Sequence, residues 1–178
     1  MNNNTDLKQI TVRSMRGGNL SLGLFDFRVD RGSPLGNPYE MEKDESNRDR
    51  VCEAYRHWLF ANVRLWTDMK KRNMPRSWWN CINPLNLPVV TKNPFDTTGL
   101  RLAPSWTQVD VAQVENEFTK LCYTVSEHDI SLICWCFPKA CHADVLRSAI
   151  IWYHKAYLEE CRQVEVTINE FFGESICL

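Results

Sequence analysis

The stretch ISLICWCFPKACHAD, residues 130–144, decides the fold of this chain. Its first part, Ile130–Cys136, is a near-continuous apolar run of strand length, which is typical of a strand buried on both faces. Pro138 interrupts the run, and from about Ala140 apolar residues recur at helical spacing through Tyr153. A buried strand that leads directly into a helix is the repeating unit of parallel α/β sheets.

The rest of the chain supplies further elements of both kinds. Two short strands, Ile10–Arg13 and Phe25–Asp30, come before any helix. Ser46 or Asn47 can cap a helix that runs to about Lys71, and its apolar residues recur at helical spacing. A second helix begins at Gln108 or Asp110 and ends at Cys122, and the alternation in 164–168 favours an edge strand. The order strand, strand, helix, helix, strand, helix predicts a small three-layer α/β sheet with flanking helices.

One domain accounts for the length of 178 residues, so we interpret 1–178 as a single domain. Residues 73–106 interrupt the regular elements of this domain. This segment contains five prolines and the pair Trp78-Trp79, and its proline density excludes long helices. We predict an irregular Pro/Trp-rich insertion or lid there, with a short strand at 87–90.

Composition excludes several classes of protein. The net charge of −1 argues against general nucleic-acid binding, which normally requires a basic excess. No apolar run approaches the ~20 residues that span a bilayer, and the polar N-terminus lacks the core of a signal peptide. We therefore expect a cytoplasmic protein with no membrane partner. Its eight cysteines should be mostly reduced there, so a disulfide scaffold is the weaker interpretation.

Residues 134–144, which we call the cysteine corner, concentrate the reactive side chains of the chain. Cys134 and Cys136 are two apart on a strand and share a face, and with Cys141 and His142 they offer a plausible donor set for zinc, the one cofactor we consider. Two observations oppose this: the spacing differs from that of zinc ribbons and fingers, and adjacent residues on a helix point in different directions. The alternatives are that Cys134 and Cys136 are buried core thiols, or that one thiol is reactive.

The start of the third helix is also a candidate site. A helix N-terminus favours bound anions and lowers the pKa of a thiol, so Cys141 is a candidate nucleophile and His142 a candidate ligand-binding residue. Asp144 is a candidate catalytic carboxylate. Its alternative role is to stabilise the helix N-terminus, as acidic residues in the first turn commonly do.

The glycine–proline loop, Arg31–Tyr39, is the second candidate site. Its two glycines and two prolines exclude a regular element, and its polar groups suit a phosphate or ribose. It matches neither a Walker loop nor a dinucleotide fingerprint, and such loops are often plain turns. The candidate ligand-binding residues are Arg31, Gly32, Ser33, Gly36 and Asn37, with Arg48 from the following helix. Because ligands bind beyond the carboxyl ends of parallel strands, we expect this loop and the cysteine corner to face one pocket.

Three ordered segments resemble the domain of unknown function 4326 family: Arg31–Tyr39, the Arg48–Leu59 helix, and Cys134 to Leu146. The resemblance covers roughly Ile10–Lys71 and Ile130–Ile150. Ala143 stands where the family often has a glycine, and the insertion is longer than the family pattern. The resemblance implies a compact α/β domain in a family common in phages and bacteria, and it brings no established reaction.

These observations support a first hypothesis, that the chain binds a nucleotide-like or nucleotide-sugar ligand and hydrolyses or transfers it, with Asp144 or Cys141 acting at the anomeric carbon. A second hypothesis is a non-enzymatic phage protein in the host cytoplasm that sequesters a nucleotide signal or binds a host protein in counter-defence. A third is a zinc-stabilised structural module. The sequence leaves open whether the chain converts its ligand or only binds it.

Overall fold

The computed structural model describes residues 7–16, 22–71, 97–103 and 111–155. In chain order the elements are β1 (Ile10–Ser14), β2 (Asp26–Arg28), α1 (Arg48–Lys71), α2 (Val111–Glu127), β3 (Ile130–Cys134) and α3 (His142–Tyr153). The predicted strands at 87–90 and 164–168 lie outside the described residues, as does most of the predicted insertion. The prediction of a single domain therefore stays a prediction.

The three strands form one parallel sheet in the order β1-β3-β2. The apolar strand β3 is central: Ile10 pairs with Ile130 on one side, and Phe27 pairs with Leu132 on the other. Parallel neighbours need long crossover connections, and here helices supply them. The prediction of a small α/β fold is confirmed.

One face of the sheet supports the hydrophobic core. Ile10, Ile130 and Leu132 lie on that face and belong to a single buried cluster. Helix α3 packs against β1 and β3, and α1 and α2 both pack against α3. The opposite face carries polar side chains beside the buried Ile133: Arg13 pairs with Asp26 at 3.2 Å, and Thr11 donates a hydrogen bond to Ser131 at 3.1 Å.

The elements differ from their predicted bounds at the ends. Strand β3 ends at Cys134, because the Cys136 N–H turns back to the Cys134 sulfur at 3.5 Å and leaves the ladder. Helix α2 continues five residues past Cys122, and α3 begins at His142 rather than near Ala140. Strand β2 is shorter than predicted, although Phe25 and Val29 still hydrogen-bond to β3 on either side of it. No helix in the described ranges has the length and hydropathy to cross a membrane.

Candidate functional site

The glycine–proline loop is held in shape by its own backbone. The Asp30 carbonyl accepts hydrogen bonds from the Ser33 N–H at 2.9 Å and the Ser33 hydroxyl at 3.0 Å. The Asn37 side chain donates to the Val51 carbonyl at 3.2 Å and accepts from the Tyr39 N–H at 2.9 Å. These bonds close the loop against the first turn of α1, so its backbone has one defined conformation.

The cysteine corner brings together residues that a regular helix would separate. Cys141 is the N-cap of α3, and its backbone is extended, with φ −137° and ψ 141°. Its sulfur accepts a hydrogen bond from the Ala143 N–H at 3.4 Å. Because Cys141 lies outside the helix, its side chain and that of His142 converge. This removes the directional objection to a shared metal site.

The four candidate metal ligands form one compact cluster. The sulfur atoms of Cys134, Cys136 and Cys141 and a ring nitrogen of His142 all lie within 4.8 Å of one another. Tetrahedral zinc with Zn–S bonds of about 2.3 Å sets its sulfur ligands about 3.8 Å apart. The Cys134 sulfur lies 3.8 Å from the ring nitrogens of His142, so this cluster could hold a metal with little adjustment.

The surroundings of His142 also suit a metal ligand. Its Nε2 lies 2.6 Å from the Val29 carbonyl, so Nε2–H donates there and Nδ1 is the ring nitrogen left for a metal. Metal-binding histidines usually donate their second N–H in this way, which fixes the tautomer and the ring orientation. The edge of the imidazole also packs against the buried ring of Tyr55, at 5.3 Å between centroids.

The protonation of the cluster is strongly perturbed. Hydrogen bonds with Cys134, Cys141 and His142 lower the pKa of Cys136 far below its ordinary value, whereas hydrogen bonds with Cys134 and Cys136, together with burial, raise the pKa of Cys141. Burial lowers the pKa of His142, but hydrogen bonds with Cys134 and Cys136 outweigh it and raise the pKa to about 10. Without metal the cluster therefore favours a thiolate on Cys136 beside a protonated His142.

Arg48 connects α1 to this corner. It is 8% exposed, and its Nη1 donates to the Ala140 carbonyl at 3.0 Å. Its Nη2 forms an ion pair with Glu45 at 2.8 Å, and its Nε has no hydrogen-bond partner among the described residues. Burial lowers the pKa of Arg48, but Glu45 and Cys136 raise it above the ordinary value. The charge is therefore kept in a largely dry position.

The loop and the corner line one cavity of about 340 Å³, a size at the lower end of small-molecule pockets. Five of the predicted ligand-binding residues lie on its wall: Arg31, Gly32, Asn37, Arg48 and His142. The thiols of Cys134 and Cys136 lie on the same wall, so the cavity and the possible metal site are continuous. Residues of the glycine–proline loop and of the cysteine corner thus line the same cavity.

Other predicted site residues lie elsewhere. Ser33 and Gly36 shape the loop and are not part of the described wall, and Cys141 belongs to the cluster but not to the wall. Asp144 is also outside the wall and pairs with Arg147 at 3.2 Å on the surface of α3. This placement favours the helix-stabilising role of Asp144 over a catalytic one.

Among the wall residues that sequence reasoning missed are Asp30 and Trp135. The buried Asp30 carboxylate accepts hydrogen bonds from Trp135 Nε1 at 3.0 Å and from the Gly32 N–H at 3.2 Å. A signal was present for Asp30, because it directly follows a parallel strand at the edge where ligands bind. Cys52 also lies on the wall, and burial is the main reason that its pKa is raised to about 11.

Comparison with known proteins agrees with the resemblance that the three segments of the sequence indicated. The family model described as Domain of unknown function (DUF4326) matches residues 12–152, which include every described element except the first two residues of β1 and the last residue of α3. No curated protein and no solved structure matches the chain significantly. The chain belongs to the DUF4326 family.

Proposed function

We propose that this chain binds a small anionic, nucleotide-like ligand in the cavity between the glycine–proline loop and the cysteine corner. The observation that carries the proposal is the buried Nε of Arg48, a residue of the cavity wall, which has no hydrogen-bond partner among the described residues. A buried donor without an acceptor costs about 1–3 kcal/mol. A phosphate oxygen of the ligand would supply the acceptor through a charge-assisted hydrogen bond.

Arg31 supports the same ligand class. Its Nη2 donates to the Tyr39 carbonyl at 2.9 Å, and it also lies on the cavity wall. A guanidinium has five N–H donors, so it can hold the loop and a ligand oxygen at the same time. The backbone of Gly32 carries no side chain that would keep a phosphate at a distance.

Binding without turnover is the version that we favour. The two residues predicted to act at an anomeric carbon, Asp144 and Cys141, are not on the described wall of the cavity. A bound and unchanged ligand is what a sequestering protein requires. In a phage such a protein would capture a nucleotide signal in the host cytoplasm, where its thiols stay reduced.

Calorimetric titration with nucleoside mono- and diphosphates tests the binding proposal. Arg48→Met should weaken binding about 10-fold or more, because a hydrogen bond to a charged group contributes about 1.5–3 kcal/mol. Arg56→Met is the matched control, since Arg56 is an exposed arginine of α1 paired with Glu53. Binding of none of these nucleotides by the wild-type chain would contradict the proposal, and mass analysis of the ligand after incubation separates binding from turnover.

We also propose that the cluster of Cys134, Cys136, Cys141 and His142 holds zinc. Four protein ligands leave no open position, which is typical of structural zinc. Three thiolates and a neutral imidazole give the zinc centre one negative charge, and the guanidinium of Arg48 beside Cys136 offsets it. The zinc would thus stabilise the inner wall of the ligand cavity.

Elemental analysis of protein purified without added metal tests this second proposal. We expect about one zinc per chain, and cobalt substitution should give the absorption bands of tetrahedral thiolate coordination. Cys136→Ser should lose the metal or the bands. Cys52→Ser is the control, because Cys52 is a thiol on the same cavity wall that is not part of the cluster. Clearly substoichiometric zinc, with stability unaffected by a chelator, would refute a structural zinc.

A further inference from the structure

Trp135 is an exposed tryptophan at a position where exposure has no structural reason. It directly follows β3, half of its surface is accessible, and it lies on the wall of the cavity. Large aromatic side chains gain most when they are buried, so an exposed ring on a concave wall suggests a surface that a ligand covers.

The indole is fixed in place by a buried carboxylate. Trp135 Nε1 donates to Asp30 Oδ2 at 3.0 Å, and the same oxygen accepts from Arg28 Nη2 at 2.7 Å. The other oxygen, Oδ1, accepts from the Gly32 N–H at 3.2 Å. Asp30 is 5% exposed, so breaking this arrangement would leave a buried charge with fewer partners. The ring is therefore held in one orientation before any ligand binds.

We propose that Trp135 is the stacking wall for a planar ring of the ligand, and that Asp30 is the positioning residue for this wall. The inference rests on the proposed function and narrows it. Arg48 is nearly buried and Trp135 is half exposed, so the acidic group of the ligand points inward and its ring lies toward the mouth of the cavity. The ligand class is then a nucleoside phosphate rather than a sugar phosphate.

The contacts of Trp135 also predict how selective this wall is. Its N–H is engaged by Asp30, so it offers the ligand an aromatic face and no hydrogen bond to a base edge. Stacking on an aromatic face tolerates every base, because each base has a π-face. The wall should therefore favour molecules with a base over molecules without one, and discriminate weakly among bases.

The test compares the affinities of adenosine 5′-monophosphate and ribose 5-phosphate, which share the sugar and the phosphate. Stacking of a base is worth about 1–3 kcal/mol, so the wild-type chain should prefer the nucleotide about 5- to 150-fold. Trp135→Ala should remove this preference and leave the affinity for ribose 5-phosphate unchanged, whereas Trp135→Phe, which keeps an aromatic face but lacks the N–H that Asp30 holds, should keep part of it. Tyr123→Ala is the control, since Tyr123 is an exposed aromatic residue of α2 that is not on the described cavity wall.

Asp30→Asn tests the positioning role. It should reduce the preference for the nucleotide in the wild-type background and have no further effect on the preference in the Trp135→Phe background, where the indole N–H is absent. A purely structural role of Asp30 would reduce affinity equally for both probes and in both backgrounds.

The outcomes separate this inference from the proposed function. If both probes bind equally, or if Trp135→Ala keeps the preference, the stacking wall is overturned while the anion site stands. If Asp30→Asn has the same effect in both backgrounds, the positioning role is overturned. If neither probe nor any other nucleotide binds to the wild-type chain, the stacking wall fails together with the proposed function.

Discussion

Gly36 lies where the glycine–proline loop folds back on its own backbone. A Cβ at this position would stand 2.5 Å from the Asp30 carbonyl oxygen and 2.6 Å from the Arg31 Cα. Both neighbours are backbone atoms, so a methyl group cannot be accommodated by a side-chain rotation. The close approach is what brings Asp30 and Arg31 to the cavity wall, and Gly36 contributes to the site in this indirect way.

Gly36→Ala should therefore destabilise the chain by about 1–3 kcal/mol, the usual cost of forcing extra volume into a packed position. The free energy of unfolding in urea measures it. Gly23→Ala is the matched control, because its Cβ would meet only the Asp26 carboxylate at ordinary contact distance, 3.5 Å. It should change the free energy by less than about 1 kcal/mol. Equal stability of the two variants would contradict the argument.

At the scale of elements, the start of α1 is joined to the turn before α3 by charges. Glu45 accepts a hydrogen bond from Lys139 at 2.6 Å and pairs with Arg48 at 2.8 Å. Its backbone is held at φ 61°, in the left-handed region that side chains other than glycine rarely adopt. The ion pairs offset this strain. They also fix the turn that separates Cys136 from Cys141, so α1 contributes to the geometry of the cluster.

The pKa of Glu45 gives this junction a pH dependence. The hydrogen bond from Lys139, and next the contact with Arg48, lower the pKa to about 2. The unfolded chain takes up the proton first, near the ordinary value of 4.5. The contribution of Glu45 to the stability of the folded chain is therefore fully present above about pH 4.5 and is lost as the pH falls toward 2.

The free energy of unfolding of Glu45→Gln should consequently differ most from that of the wild type above pH 4.5, and the difference should shrink toward pH 2. Urea unfolding of both chains at several pH values measures it. Lys139→Met removes the partner that lowers the pKa most, so the Glu45→Gln difference should be smaller in that background. A difference that does not change with pH would contradict the assignment.

At the scale of the whole molecule, the cluster joins parts of the chain that are far apart in sequence. His142 lies against the Val29 carbonyl at the end of β2, Cys134 ends the central strand, and Arg48 links α1 to Ala140. A metal here would connect the sheet edge, the loop and two helices. Because the folded chain forms this site and the unfolded chain does not, metal binding would contribute to folding.

Removal of zinc by a strong chelator should accordingly lower the melting temperature of the entire chain. With free zinc at about 1,000 times its Kd, binding stabilises by about 4 kcal/mol. At roughly 2–4 °C per kcal/mol for a chain of this size, the expected loss is about 8–16 °C. Calorimetry measures it, and return of zinc should restore the original transition. The Cys136→Ser variant should melt at the same temperature with and without chelator.

The residue types and their periodicity were sufficient to predict most of the elements. Helical spacing of apolar residues predicted α1 to within two residues, and the apolar run predicted β3 as a buried strand. Ends were less accurate, since individual contacts between side chains and backbone set them. The Cys134 sulfur that receives the Cys136 N–H is one such contact, and no propensity reports it.

The sequence by itself determined the α/β class, the family, the two segments that line the cavity and the four donors of the cluster. Each of these follows from a local pattern, because it depends on residue type and short-range spacing. Only the tertiary structure decided that Cys141 is extended and so aligned with His142, that Asp144 pairs with Arg147 and is not on the described cavity wall, and that Asp30 holds Trp135. Asp30 and Trp135 are 105 positions apart, and the packing of strands and helices, rather than neighbouring residues, brings such side chains together.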